Sequence, residues 1–393
     1  MEGRLIEMYQ VKLMNKIAAC GLEVLDDSYT CGEGIENPDA ILVRSAALHD
    51  MEFPESLRAI ARAGAGTNNI PVEACSERGI VVFNTPGANA NAVKELVLCG
   101  LLMASRKIVP ALNWAQTLKG QGDQVLKLVE KGKGAFVGPE IKGKKLGVIG
   151  LGAIGVLVAN SAASLGMTVY GYDPYLSVDA AWGLSRRIIH AKSVEEIYAQ
   201  CDYITVHVPL NDKTKHMIGQ EALGMMKPTA AVLNFSRDEL VDGEAVLAAL
   251  EKDTLRCYVT DFPTDNMLGN EKVVALPHLG ASTPESEDNC AVMAAQEIRD
   301  YLENGNIVNS VNFPNAVMER SGKYRYGILH RNIPSMISQA TNAFAEQGIN
   351  IENMMNKSKK DYAYTVIDAE EKSQAVIDRI SAVDGVVKVN LYE

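Results

Sequence analysis

The sequence holds no Cys-x-x-Cys pair, no long apolar run and only 6% aromatic residues. Its seven cysteines, Cys20, Cys31, Cys75, Cys99, Cys201, Cys257 and Cys290, are scattered and odd in number. That pattern excludes a paired disulfide framework and the ligand spacing of a structural zinc site. The cysteines read as reduced thiols of a cytoplasmic protein, and no metal is expected. No segment reaches the roughly 18 apolar residues of a membrane span, and the N-terminus lacks the apolar core of a signal peptide. Basic charge is also short: 38 Lys and Arg stand against 49 Asp and Glu, a net charge of −11. This balance argues against nucleic acid or an anionic membrane as the main partner. Residues 1–7, ahead of Met8, read as an unstructured extension or a start-site choice.

What is present points to a globular protein of two or three domains, since 393 residues with 47% apolar content exceed one ordinary core. The most informative segment is Gly150-Leu151-Gly152-Ala153-Ile154-Gly155. It follows the apolar run Leu146-Gly147-Val148-Ile149, and a second apolar run beyond it ends at Asp173. Glycines at this spacing allow a tight turn out of a strand, close approach of backbone to a pyrophosphate, and tight helix packing. The phosphates then sit on a helix N-terminus. An acid about 20 residues on bonds an adenosine ribose and repels a 2′-phosphate, so NAD is expected over NADP.

Around this fingerprint, strand and helix signals alternate. Residues 9–102 read as one βα unit, 91–103 as a long helix, and the Gly- and Lys-rich stretch 120–138 as an exposed connection. Six strands follow, at 145–149, 168–173, 203–207, 230–235, 256–260 and 272–276, enough for a doubly wound sheet. After Pro284 an amphipathic helix runs over 285–303, and the loop 309–322 marks a boundary. The remaining residues spell βαββαβ, the order of an independent ferredoxin-like module.

Chemistry-bearing side chains stand at the ends of the later strands, where open α/β sheets bind ligands. Arg237 offers a planar guanidinium for a carboxylate. His278 is the side chain best suited to take a hydroxyl proton near neutral pH. Asp265 is positioned to orient the imidazole, with Glu271 as the fallback acid.

Taken together, these segments resemble the D-isomer-specific 2-hydroxyacid dehydrogenase family, and more closely its branch that oxidises 3-phosphoglycerate toward serine. The resemblance runs through Arg62 to Ile70, Asn84-Thr85-Pro86, Gly147 to Gly155, His207-Val208-Pro209, Met226-Lys227-Pro228, Asn234 to Arg237 and Pro277 to Thr283. It implies an α/β fold with a Rossmann-type NAD domain (99–282) inserted into a discontinuous flavodoxin-like substrate domain (1–98 with 283–310). A ferredoxin-like ACT domain (322–393) follows. Carried over, Arg237 holds the substrate carboxylate, Asp265 supports His278, and Asp261 lies near the nicotinamide carboxamide. The cofactor set is Gly150, Gly152, Ala153, Ile154, Gly155, Asp173, His207, Pro209, Asn234, Asp261 and Gly280. Backbone from Ala63, Gly64, Ala65 and Gly66 completes the carboxylate site, and Arg44 with Ser45 takes the substrate phosphate, with Lys94 as a second ligand. His330, Asn332 and Asn350 match positions that contact an L-serine effector.

The chain departs from the family pattern where Asp265 stands for the usual Glu and where Asp238 replaces the glycine after the arginine, a turn that Asp can keep by adopting a left-handed backbone. It departs again at Ser335, which replaces the glycine after Pro334. The expected function is oxidation of 3-phosphoglycerate by a homodimer or homotetramer. The competing readings are a glyoxylate or hydroxypyruvate reductase of the same fold, and a non-catalytic NAD-sensing protein.

Overall fold

The computed structural model describes residues 8–393, so the N-terminal stretch 1–7 lies outside the described residues. The chain divides into two compact units, one holding the chain up to Asn89 with Pro284–Glu393, the other Ala90–Thr283. The helix Ala90–Arg106 therefore belongs whole to the second unit, where a break at residue 98 was expected.

In the first unit, β1 (Tyr9–Met14), β2 (Tyr29–Gly32), β3 (Ala40–Val43), β4 (Ala59–Arg62) and β5 (Val81–Asn84) form a parallel sheet in the order β2-β1-β3-β4-β5. This is the flavodoxin-like order. Strands β3 and β4 are short, mainly aliphatic runs that are buried almost throughout, as the centre of a parallel sheet requires. The helix Pro284–Asn304 covers one face through Ala291, Ala294 and Ile298. Proline opens that helix, Glu285 and Glu287 sit in its positive first turn, and Gly305 at φ +69 follows its end.

The second unit carries β6 (Lys145–Ile149), β7 (Thr168–Tyr172), β8 (Ile189–His190), β9 (Tyr203–Val206), β10 (Ala231–Asn234), β11 (Cys257–Thr260) and β12 (Val273–Ala275). They form a parallel sheet in the order β12-β11-β10-β9-β6-β7-β8, a doubly wound sheet. Strand β8 was not expected. It has two exposed residues and no buried periodicity to announce it. The stretch 120–138 is also more ordered than its composition suggested, holding the 3-10 turn Gly122–Gln124, the helix Val125–Gly132 and the 3-10 turn Lys133–Phe136. None of these buries a residue, so its exposure was read correctly and its helicity missed.

The C-terminal strands β13 (Tyr324–Arg331), β14 (Asn353–Lys359), β15 (Tyr362–Ala369) and β16 (Val386–Tyr392) form an antiparallel sheet in the order β14-β15-β13-β16. Tyr326, Ile328 and Ile367 pack against the helices Met336–Glu346 and Gln374–Ser381. The opposite face is not free. Leu329, Tyr364 and Val366 share one core with Val11, Leu42 and Tyr301 of the first unit. Beneath them the Arg325–Asp368 pair, at 2.7 Å, is almost wholly buried, and the Arg325 guanidinium also donates to the Asn304 carbonyl. The expectation of an independent module is therefore corrected, because alternation along β13 and β15 puts apolar residues on both faces and both must be covered.

The connector before this sheet is pinned as well. Asn312 accepts the Val82 amide proton at 2.9 Å and donates to the Ile80 carbonyl at 2.9 Å, acting as a surrogate strand partner for β5. Among the described residues no helix is long and apolar enough to cross a membrane, and none of the seven cysteines is in a disulfide.

Candidate active site

The apolar strand β6 ends at Gly150, whose φ of +92 turns the chain sharply. A Cβ there would lie 2.4 Å from the His207 carbonyl oxygen, and one on Gly155 would lie 1.9 Å from the Gly150 carbonyl oxygen. Both positions tolerate only glycine, for packing reasons. Gly152 differs. It caps the helix Ala153–Ser164, and nothing lies within 4 Å of the place a Cβ would take. That open space at a helix N-terminus fits a pyrophosphate.

Asp173 braces the same turn. Its Oδ2 accepts the Leu151 amide at 2.8 Å and its Oδ1 accepts the Tyr175 amide at 2.8 Å. The sequence spacing announced a ribose ligand but not this second duty. His207 bonds Thr205 Oγ1 through Nε2 at 3.0 Å, while Nδ1 is buried without a partner. Burial pushes its imidazole down to about 4, so the ring is neutral at physiological pH. Pro209 follows on the exposed rim and its carbonyl accepts the Thr214 hydroxyl at 2.6 Å.

Strands β10, β11 and β12 deliver the remaining groups of this unit. Asn234, fully buried at the end of β10, donates from Nδ2 to the Arg237 carbonyl at 2.8 Å and accepts the Ser236 amide at 3.1 Å. Ser236 in turn donates to the Val206 carbonyl at 2.7 Å. These bonds hold the backbone under Arg237, whose guanidinium is exposed and gives one bond to the Ser236 carbonyl. Asn234, expected to contact cofactor, also braces the turn that carries Arg237. Asp238 does not adopt a left-handed backbone, contrary to expectation. It opens the 3-10 turn Asp238–Leu240, a right-handed conformation that needs no glycine.

Asp261, directly after β11, is 2% exposed and both its carboxylate oxygens are buried without a hydrogen-bond partner. Burial raises its pKa, opposed by attraction to His278, by the nearby backbone N–H groups of Asp261 and Gly280 and, more weakly, by attraction to Arg237. Gly280 is buried beside it, so that a Cβ at 280 would come 3.6 Å from Asp261 Oδ2. His278 is exposed, with its ring tilted 55° against Phe262 at a centroid distance of 4.6 Å. Asp261 thereby lies within the fields of both His278 and Arg237.

Asp265 and Glu271 make no direct bond to the histidine. Asp265 sits exposed at the start of the 3-10 turn Asp265–Met267, and among the described residues neither acid forms a hydrogen bond or ion pair with His278. Asp261 is an acid whose carboxylate feels the His278 ring. Sequence reading missed that, and it missed the Phe262 contact. The available signal was adjacency, since Asp261-Phe262 follows β11 immediately. Lys94, in the helix Ala90–Arg106, is largely covered, with its ammonium 3.6 Å from Glu95.

In the first unit, Arg44 follows β3 and forms an ion pair with Glu287 at 2.6 Å. Its carbonyl accepts from Arg62 Nε at 3.0 Å, and the Ser45 amide donates to Asn15 Oδ1 at 3.0 Å. The Ala63–Gly66 loop wraps the Arg62 guanidinium, which bonds the Gly66 carbonyl, and Asn84 Nδ2 donates to the Ala65 carbonyl at 2.5 Å. Gly64, at φ +155, leaves room for that guanidinium.

Of the expected effector residues, His330 is 3% exposed and already satisfied, by Thr365 Oγ1 at 2.9 Å and the Arg331 carbonyl at 2.8 Å. Asn332 and Asn350 are exposed, and donate to the Lys360 carbonyl at 3.1 Å and to Glu352 at 2.8 Å. Ser335 takes φ +69, the left-handed conformation that glycine adopts without strain.

Residues 98–280 match the family described as D-isomer specific 2-hydroxyacid dehydrogenase, NAD binding domain. A D-3-phosphoglycerate dehydrogenase of Methanocaldococcus jannaschii is 36% identical over 317 residues, covering 78% of this chain and 58% of that protein. The chain therefore spans little more than half of that relative's length. The enzyme of the same name from Escherichia coli K12 is 32% identical over 351 residues, 86% of this chain and 82% of its own length. Among solved structures, the NAD+-bound 3-phosphoglycerate dehydrogenase of Entamoeba histolytica superposes with a TM-score of 0.60 at 26% identity, covering 77% of this chain and 98% of that one. With the fingerprint, the parallel seven-stranded sheet and the relatives in agreement, the chain belongs to the D-isomer-specific 2-hydroxyacid dehydrogenase family.

Proposed function

We propose that this chain catalyses the NAD-dependent oxidation of 3-phosphoglycerate to 3-phosphohydroxypyruvate, the first step of L-serine biosynthesis. The observation that carries the reading is the grouping of Arg237, Asp261 and His278 at the ends of adjacent strands of the fingerprint-bearing sheet. NAD, when bound, supplies the two-electron acceptor for the C2–H bond. The residues present fit it: open space at Gly152, an acid at Asp173, and an unsatisfied buried carboxylate at Asp261 that suits the carboxamide. Gly150, Ala153, Ile154 and Gly155 shape the turn and first helical residues, with His207, Pro209 and Gly280 on its neighbours.

In this reading Arg237 binds the substrate carboxylate with the guanidinium N–H groups not given to Ser236, helped by the Ala63–Gly66 backbone. His278 takes the C2 hydroxyl proton, and the negative charge of Asp261 stabilises the imidazolium that forms. Arg44 and Ser45 hold the phosphate, with Lys94 as a further ligand. The test is turnover with 3-phosphoglycerate against D-glycerate, each with NAD and with NADP. Preference for the phosphorylated substrate and NAD is expected; equal use of both substrates sinks the assignment.

A second reading, a glyoxylate or hydroxypyruvate reductase, is favoured by one observation: Glu287 already occupies Arg44. The same substrate panel decides between them. The regulatory reading, inhibition by L-serine, rests on the βαββαβ tail, and Asn332 and Asn350 carry the contact in it because His330 is engaged elsewhere. A cytoplasmic homodimer or homotetramer completes the proposal, supported by unpaired cysteines and by exposed Ile108, Val109 and Leu112 on the helix Ile108–Gln116.

A further inference from the structure

A groove of about 660 Å³ opens in the first unit between the end of β5, the connector 309–315 and the edge strand β14. Asn84, Asn309, Ser310, Asn315, Lys357 and Lys359 line it, and none of its lining side chains is acidic. In a chain of net charge −11 that is a local inversion of sign. The two lysines are two residues apart on a strand and therefore share a face. Their partners across the ladder are Tyr364 and Tyr362, which pack against the first unit, so this face is directed toward the connector.

Lys359 Nζ gives one hydrogen bond, to the Ser310 carbonyl at 2.7 Å, leaving two ammonium protons. Lys357 has no acidic partner among the described residues, and the charge next to Lys359 is another cation, Lys360. The acid behind the groove is Glu297, whose Oε1 accepts from Asn309 Nδ2 at 2.8 Å. Burial pushes it up to about 8, so it is mostly neutral at physiological pH and does not cancel the lysines.

The groove is also wired to the substrate loop. Asn84 donates its backbone N–H to the Asn309 carbonyl at 3.4 Å and its side-chain amide to the Ala65 carbonyl at 2.5 Å. We propose that this groove binds a small multiply charged oxyanion, a phosphate monoester or a polycarboxylate, and that its occupancy is transmitted through Asn84 to the Ala63–Gly66 loop. Two ammonium groups and several amides supply donors without acceptor charge, which is the composition such an anion requires.

Calorimetric titration of the full chain with inorganic phosphate and with citrate, at constant ionic strength, tests the site. Saturable binding is expected that persists in Arg44→Ala and is weakened at least tenfold in that background by Lys357→Gln. That variant removes no hydrogen bond and should keep the melting temperature. Tighter phosphate binding assigns a monoester, tighter citrate binding a polycarboxylate. No saturable binding of either anion, binding that survives Lys357→Gln/Lys359→Gln in the Arg44→Ala background, or binding abolished by Arg44→Ala overturns the site. Hydrogen exchange reads the transmission without relying on turnover. The anion should slow exchange at residues 63–66 in the parent chain and not in Asn84→Ala, and equal exchange with and without anion in the parent overturns the coupling.

Discussion

The side chain of Asn234 spans the turn that carries Arg237, donating to the Arg237 carbonyl at 2.8 Å while accepting the Ser236 amide at 3.1 Å. Asn234 is fully buried, and losing it leaves both backbone groups without this partner. The loss costs roughly 1–3 kcal/mol per unsatisfied group. Asn234→Ala is therefore expected to lower kcat/KM by about ten- to a hundredfold, with added guanidinium giving no rescue. Asn234→Asp, which keeps the acceptor and loses the donor, should fall in between. Steady-state kinetics beside a thermal melt separates loss of the turn from loss of the fold.

His278→Ala should reduce kcat by on the order of a hundredfold or more while leaving NAD affinity nearly intact, as removal of a general base does. Asp261→Asn should lower kcat and weaken NAD, whereas Asp265→Asn, with no bond to the ring in this structure, should stay within a few-fold of the parent. The reverse ranking would return the supporting role to Asp265.

Arg44 is held at 2.6 Å by Glu287, with both side chains over 40% exposed. An exposed pair of this kind is worth little in stability. It nevertheless competes with any phosphate for the same guanidinium. Glu287→Gln is expected to lower KM for 3-phosphoglycerate several-fold, and Arg44→Ala to raise it about tenfold, both without effect on an unphosphorylated hydroxy acid. Lys94→Ala should add a smaller loss. If selectivity is the same in all three variants, no phosphate is bound there.

Glu297 makes stability depend on pH. Its carboxyl titrates near 4.5 when unfolded and at about 8 in the fold, where Oε2 has no partner. Below 4.5 it is protonated in both states and burial carries no charge penalty. Between these values only the unfolded state releases the proton, so stability falls as pH rises, and above about 8 the full penalty is present. The total is on the order of a few kcal/mol. Melting curves from pH 4 to 9 should show Glu297→Gln losing less stability over that window than the parent, and parallel curves would show that Glu297 is ionised in the fold.

Asp173 bonds the Leu151 amide within the fingerprint turn, so its replacement acts twice. Asp173→Ala should raise KM for NAD about tenfold and narrow the preference over NADP, measured by initial rates with each cofactor. An unchanged cofactor ratio would remove the ribose role and leave the bracing one.

The parts of the molecule legible in the sequence are those set by local rules. Gly150 and Gly155 tolerate no side chain, Asp173 follows at its fixed distance, and aliphatic runs such as Ala40–Val43 and Ala231–Asn234 are strands because they are buried on both faces. From these the doubly wound sheet, the NAD fingerprint and the strand-end positions of Arg237 and His278 follow. Strand β8 and the exposed helix Val125–Gly132 escaped because neither buries a residue, which removes the periodicity that reading depends on.

Tertiary structure decided everything that depends on which distant groups meet. It put Asp261 in the field of His278, and gave Asn234 a bond to the Arg237 carbonyl that holds the turn. It sealed His330 with Thr365, and laid the C-terminal sheet on the core of the first unit. Residue type and spacing determine where a strand ends and which chemistry stands there. The partner of a buried charge or amide is chosen by desolvation and hydrogen-bond geometry between segments remote in sequence, and no local pattern encodes it.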